Sequence, residues 1–276
     1  MKIHILILIL FSSFIFAQNQ RFTYEYRFIP DSANREDVKT EIMDLDVSKT
    51  GSRFYSETVY KSDSAMKVDL EKQLQATGAI NVDTSKRKGD VRYSVSKTYP
   101  GYGVFFHNKI LMDGFKVKED RKISWNILPE KMKIGEWNAQ KAETNFGGRK
   151  WTAWFTPEIP IQDGPYKFYG LPGMIVKLED QTLSHRFELK GVSKISEIPV
   201  DSDVFKLNEI EVSRKQYEKL LKDYENDPAK GLKMLNSSGN IILTDKNGNS
   251  DKLMREREEA MKAKIRKNNN QIELIQ

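Results

Sequence analysis

The sequence predicts an α+β fold that is mainly β: a large curved antiparallel sheet, open like a half-barrel, with one internal helix and helices at the C-terminus. Three observations predict it. Apolar and polar residues alternate in short runs from Phe22 to Ile195, the period of half-buried strands. Pro-Gly, Asp-Gly and Gly-Gly pairs separate those runs, and each is a turn signal. A helical period appears once among them and returns only near the C-terminus. Many strands at short spacing with few helices favour an antiparallel sheet over alternating β-α units.

The elements follow in order. In "RFTYEYRFIP", Phe22, Tyr24, Tyr26 and Phe28 share one face of a strand. Met43, Leu45 and Val47 do the same in the next run, and a Lys-Thr-Gly turn leads to a strand through Phe54. The period then changes. Met66, Leu70 and Leu74 fall four apart, Ser62 can cap the start and Gly78 stands just past the end, so this stretch reads as an amphipathic helix. Strand signals resume in "DVRYSVSKTYP", "GVFFHNKILMD", "RKISWNIL", "GRKWTAWFT", "GMIVKLED" and "HRFELKGVSKI". Ser213 and Gln216 form a capping box for a helix through Tyr217, Leu220, Leu221 and Tyr224. Asp227-Pro228 begins a second short helix. A third, charged helix carries Met254, Met261 and Ile265 on one face.

The first seventeen residues read as a secretory signal peptide: Lys2 supplies the positive start, Ile3 to Phe16 the apolar run, and Ala17 the small residue before a cut at Gln18. The run is too short for a comfortable membrane anchor. The expected organisation is therefore signal peptide 1–17, β-rich domain 18–205 and helical extension 206–276, exported to the periplasm or beyond. The chain has no cysteine, which excludes a lipid-anchoring cysteine and disulfides alike. Lys and Arg (45) are interleaved with Asp and Glu (39), so no basic face for nucleic acid is expected.

Chemistry-bearing motifs are sparse. His107 and His185 stand in no metal-ligand spacing, and neither a metal nor a cofactor is expected. G-x-S-x-G is absent, and "VSK" and "TSK" are pairs that a Lys-rich chain contains by chance. Aromatics are the exception. Trp137, Trp151, Trp154, Tyr166, Phe168 and Tyr169 fall close together, either as core or as a surface for a hydrophobic ligand or an envelope protein. Within "KWTAWFT", Trp151 and Phe155 share a face, and Trp154 points to the other. The stretch "DGPYKFYGLPGMIVKLED" adds a stiff corner, with Gly170, Leu171, Pro172 and Gly173 expected in a type II turn that feeds the strand of Met174, Val176 and Leu178.

The run "GRKWTAWFTPEIPIQDGPYKFYGLPGMIVKLED" resembles the signature of the GLPGLI family, exported proteins of Bacteroidetes-type bacteria, with Met174 where the motif has leucine. Upstream, "KIGEWNAQKAETNFGG" resembles the family's aromatic-x-Cys-x-Lys-Ala segment, with Ala139 at the cysteine position. The resemblance spans residues 134 to 180 and implies no established activity. The fold is also loosely similar to lipoprotein-carrier-like curved sheets. The expectation is an exported, non-enzymatic envelope protein that binds a hydrophobic ligand, a peptide or an outer-membrane partner. A hydrolase or peptidase with a dispersed site, and an assembly role beside an outer-membrane transporter, stand as alternatives.

Overall fold

The computed structural model describes residues 19–111, 113–199, 208–237 and 248–274. The expected signal peptide lies outside them. The strands are β1 Asn19–Phe28, β2 Lys39–Val47, β3 Gly51–Ser56, β4 Ser94–Thr98, β5 Gly103–Ile110 and β6 Asp113–Lys118. After them come β7 Asn126–Ile134, β8 Trp137–Phe146, β9 Arg149–Thr156, β10 Met174–Asp180, β11 His185–Ile195 and β12 Ile210–Ser213. The helices are α1 Glu57–Thr77, α2 Arg214–Asn226, α3 Lys230–Ser237 and α4 Ser250–Arg266.

All twelve strands form one unclosed sheet in the order β12-β6-β5-β4-β3-β2-β1-β11-β10-β9-β8-β7. Two antiparallel meanders, β1 to β6 and β7 to β11, meet where β1 pairs with β11. The one departure from the expected antiparallel pattern is β12, which lies parallel to β6. It comes from the segment expected to be purely helical, and its four residues are too few to show a period.

The chain's own length requires the sheet to curl. β6 and β7 are consecutive in sequence but ten strand spacings apart in the sheet, about 48 Å if it were flat. The connection from Lys118 to Asn126 can stretch to about 29 Å at most. The two flanks must therefore approach each other. The connecting segment crosses the covered face, where Ile123 and Trp125 pack on the core and Trp125 Nε1 donates to the Tyr169 carbonyl at 2.8 Å.

Strand alternation separates the two faces. On the covered face Tyr26 opposes Glu41 on one side and Phe187 on the other, and its ring stacks on Phe187 at 4.1 Å. Phe22, Tyr24, Met43, Leu45, Phe54, Leu178 and Trp151 join the same core. The opposite face is a polar ladder in which Arg21 bridges Asp44 and Asp46, and Lys177 and Arg186 flank Glu179. At the outer margin, β7 loses register between Ile127 and Lys131, where Pro129 sits.

α1 begins six residues earlier than its periodicity suggests. The cap is Ser56, the last residue of β3, whose Oγ accepts from Val59 N at 3.0 Å and donates to buried Glu41. Ser62 instead ties the helix to the following loop, accepting from Lys88 N at 2.8 Å. Gly78 ends the helix in a left-handed conformation, as expected. α2 carries the expected capping box of Ser213 and Gln216. Its Tyr217 closes on Phe115 and Val117 to make a second, smaller core.

Beyond α4, residues 268–274 run back over the covered face. Ile272 enters the main core, and Leu274 N donates to Gly147 O at 2.8 Å. Among the described residues no helix is long and apolar enough to cross a membrane.

Candidate functional site

The stiff corner is real, but its geometry differs from the expected type II turn. Gly173 N donates to Leu171 O at 2.7 Å, which closes a tighter three-residue turn around Pro172. Gly173 has φ +150°, and a Cβ there would stand 2.1 Å from the Thr156 carbonyl oxygen. Glycine is therefore required twice over, for its backbone angle and for the close passage against the end of β9. Gly170 has φ +91° and open space around it.

Beneath the corner lies a sealed polar cluster. Asp163 accepts from Lys97 Nζ at 2.5 Å, from Ser52 Oγ at 2.6 Å and from the Tyr99 hydroxyl. Lys97 also donates to the Gly164 carbonyl at 2.7 Å. Lys97 and Asp163 have no exposed side-chain surface, and burial pushes the Lys97 ammonium below its ordinary range. The pair pins the loop of residues 157–173 to β3 and β4. A Ser–Lys arrangement thus exists in space, but it is enclosed and both groups are spent on Asp163.

Of the six aromatics that the sequence offers as core or as a ligand surface, Trp137, Trp151, Tyr166 and Phe168 are buried. Trp151 is 1% exposed, donates to Phe146 O at 3.0 Å and packs on Phe168 with ring centres 4.9 Å apart. Phe168 and Trp137 are also core. Trp154 is half-buried on the opposite face, paired across the sheet with Lys177 and Lys141. Tyr169 is half-buried and stacks on Tyr102 at 4.7 Å. Aromatic burial stabilises the core so strongly that packing claims most such residues first. Tyr166 is also core, at 2% exposure, and it borders a cleft.

Tyr166 forms one wall of a cleft of about 530 Å³ between β5, β6, α2 and residues 268–274. Phe106, Val117, Tyr217, Leu221 and Tyr224, with Ile272 and Leu274 of the C-terminal segment, add apolar lining, and Tyr93 also borders it, its buried hydroxyl without a hydrogen-bond partner among the described residues. Tyr166 itself adopts φ +55°, a strained angle for a large side chain. Its hydroxyl donates to Glu273 Oε1 at 2.5 Å.

Charge gathers at the same place. Lys167 Nζ lies 2.9 Å from Glu119 and 2.5 Å from Glu273, and Arg121 contacts both carboxylates. Lys167 also sits 4.9 Å from the Phe106 ring centre. Burial alone would raise the Glu119 carboxyl, but hydrogen bonds from Arg121 and the charge of Lys167 outweigh it and hold the group at about 2. Glu273 is likewise kept below the usual carboxylate range: burial opposes this, and Lys167 and Arg121 prevail. The cluster is a neutralised clamp between linker, corner loop and C-terminal segment.

Arg121, Lys167 and Glu273 stand in no sequence motif, whereas Glu119 forms a carboxylate pair with Asp120 just past β6, where sequence alone suggests a solvated turn; its side chain is instead buried against Lys167. His107 lies between Ser96 and Glu209 on the polar face. His185 is buried 2.7 Å from the Tyr26 hydroxyl, and burial together with neighbouring Arg149 pushes its imidazole down to about 4. Among the described residues no three His, Asp or Glu side chains are grouped to hold a metal.

A family model described as "Protein of unknown function (Porph_ging)" matches residues 117–177, a span from β6 through the glycine-proline corner to β10. No curated protein matches the chain. Two solved structures resemble it over 73% of its length: "Structure of PNGF-II in C2 space group", at 16% identity and TM-score 0.50, and "Structure of PNGF-II in P21 space group", at 15% and 0.49. Each match takes up 32% of the longer chain, so this protein spans about a third of it. At 16% identity the likeness of the first is one of fold.

Proposed function

We propose that this is an exported, non-enzymatic binding protein of the cell envelope, and that its ligand site is the cleft beside Tyr166. The observation that carries the reading is the composition of that cleft. Phe106, Tyr166, Tyr217, Tyr224 and Leu221 offer apolar and aromatic surface, while Arg121, Lys167 and Glu273 lie at its base already paired. A concave apolar site with a few fixed polar groups suits a small amphipathic molecule or the apolar side chains of a peptide. The charged groups at the cleft that are already spent on one another, Lys167 and Arg121 on Glu273, favour binding over catalysis in this reading. Export rests on the N-terminal apolar run and on cleavage before Gln18.

The cleft is tested with a fluorescent hydrophobic probe, anilinonaphthalene sulfonate. Leu221→Trp, which fills the cleft, weakens probe binding about tenfold or more; Trp154→Ala, on the other face, leaves it unchanged. The opposite pattern moves the site to the polar face and ends the proposal. N-terminal sequencing of protein from its native host tests export: a mature chain starting at Gln18 is expected, and one starting at Met1 refutes it.

A further inference from the structure

Residues 268–274 are gripped at almost every position. Asn269 bonds Asp31 and Ser32. Asn270 is buried: its backbone amide donates to Pro30 O at 3.0 Å, its side-chain Nδ2 donates to Ile29 O at 2.8 Å, and its side-chain Oδ1 accepts from Arg149 at 2.7 Å. Arg149 also donates to the Gln271 carbonyl at 2.6 Å. Ile272 sits in the core, Glu273 in the clamp of Arg121, Lys167 and Tyr166, and Leu274 on the Gly147 carbonyl. The floor is cut for this segment. A Cβ on Gly147 would come within 2.8 Å of the Glu273 side chain, and one on Gly148 within 3.0 Å of Leu274.

Two further observations indicate that the segment can leave without the groove collapsing. The cations that grip it keep partners in the sheet domain: Arg149 retains Asp180, while Arg121 and Lys167 share Glu119, which leaves the emptied clamp one net positive charge ready to take back a carboxylate. The preceding helix α4 adds little hold, with Met254 its one buried residue. An amide pocket, an apolar socket and a carboxylate clamp in succession are the means by which a groove reads an extended peptide.

We propose that this groove is an exchangeable docking site, and that the partner it fits is the same segment of a second copy of this chain. Two copies then trade residues 268–274 reciprocally, and each groove holds its partner's Asn270, Ile272 and Glu273. Such an exchange forms a dimer with no new contacts, because every bond made in one chain is remade between two.

The test uses the full chain and a labelled synthetic peptide of residues 267–276. A chain with Ile272→Asp and Glu273→Lys loosens its own segment and leaves the groove floor intact. It binds the wild-type peptide at least about tenfold tighter than the wild-type chain does, and a peptide carrying Glu273→Lys binds neither. Light scattering of the wild-type chain shows a concentration-dependent dimer that excess peptide dissolves. Absence of peptide binding to a loosened chain that keeps its far-ultraviolet spectrum overturns the proposal, as does a dimer that peptide leaves untouched. If the double variant does not fold, hydrogen exchange on the wild-type chain decides. Asn270 and Leu274 amides that exchange well before β9 and β10 support the proposal; amides that exchange only with global unfolding refute it.

Discussion

From β8 to β11 the covered face is packed shut: Trp151, Phe168, Leu171, Met174 and Leu178 are almost wholly buried, and the corner loop of residues 157–173 lies there. From β4 to β6 the main core gives way to the small cluster of Phe115, Val117 and Tyr217, and the cleft stays open beside it. The same sheet thus has a sealed flank and an open one. The distinctive "GLPGM" sequence belongs to the sealed flank, where it meets demands of packing and backbone angle. The open flank is built from residues far apart in sequence, such as Phe106, Tyr166, Tyr217 and Glu273, with no motif among them. A conspicuous motif in this protein therefore marks architecture, and the open cleft lies beside it.

Substitutions sharpen that comparison, and the corner should show the largest effect. Gly173→Val meets both the positive φ and the Thr156 carbonyl, and should destabilise the fold by about 3–6 kcal/mol. Gly170→Ala, at a positive φ with open space, should cost about 1 kcal/mol. Equal urea midpoints for the two would show that the close approach is not what fixes the corner.

Next comes the sealed ion pair. Lys97→Met leaves Asp163 buried without its counter-charge and should cost about 3–5 kcal/mol, whereas adding Asp163→Leu should recover part of the loss. A double variant no more stable than the single would mean that Ser52 and Tyr99 carry the loop's attachment instead.

The tryptophans make a finer contrast across the thickness of the sheet. Trp151→Ala empties a core site and should cost about 3–5 kcal/mol, and Trp154→Ala about 2 kcal/mol less. Similar unfolding free energies would show that the polar face is as tightly covered as the core.

The smallest expected effect is on pH dependence. His185 is held near 4 in the fold and titrates near 6.5 when unfolded. The unfolded chain binds the extra proton as pH falls, so stability declines from about pH 6.5 to 4 and no further from this group. Glu119 and Glu273, held low, add their loss below about 4.5. His185→Gln should flatten the upper part of the curve in thermal melts. An unchanged slope between pH 6.5 and 4 would assign it to other groups.

Much of the fold was legible because its signals are local. Phe22 to Phe28 alternate cleanly, Gly78 stops α1, and Ser213 with Gln216 starts α2. Ser56 escaped as a cap because it also ends a strand, and the two periods overlap there. β12 escaped because four residues, three of them exposed, carry no pattern. The corner's position was legible, but its turn type was not, since the contact that excludes a side chain at Gly173 comes from Thr156. The cleft was hidden for the same reason on a larger scale. Lys97 and Asp163, or Arg121 and Glu273, meet only after the sheet curls, and neither pair has a sequence spacing that announces it.

An unclosed sheet has two free margins, each a template on which further chains could stack into fibres. Here both margins are poor templates. β12 is only four residues long before α2 begins. β7 breaks its register around Pro129, which has no amide hydrogen to offer, and Lys131 and Lys133 add charge along the strand. The interruption in β7 thus guards the fold against amyloid-like growth, a hazard that its openness would otherwise invite.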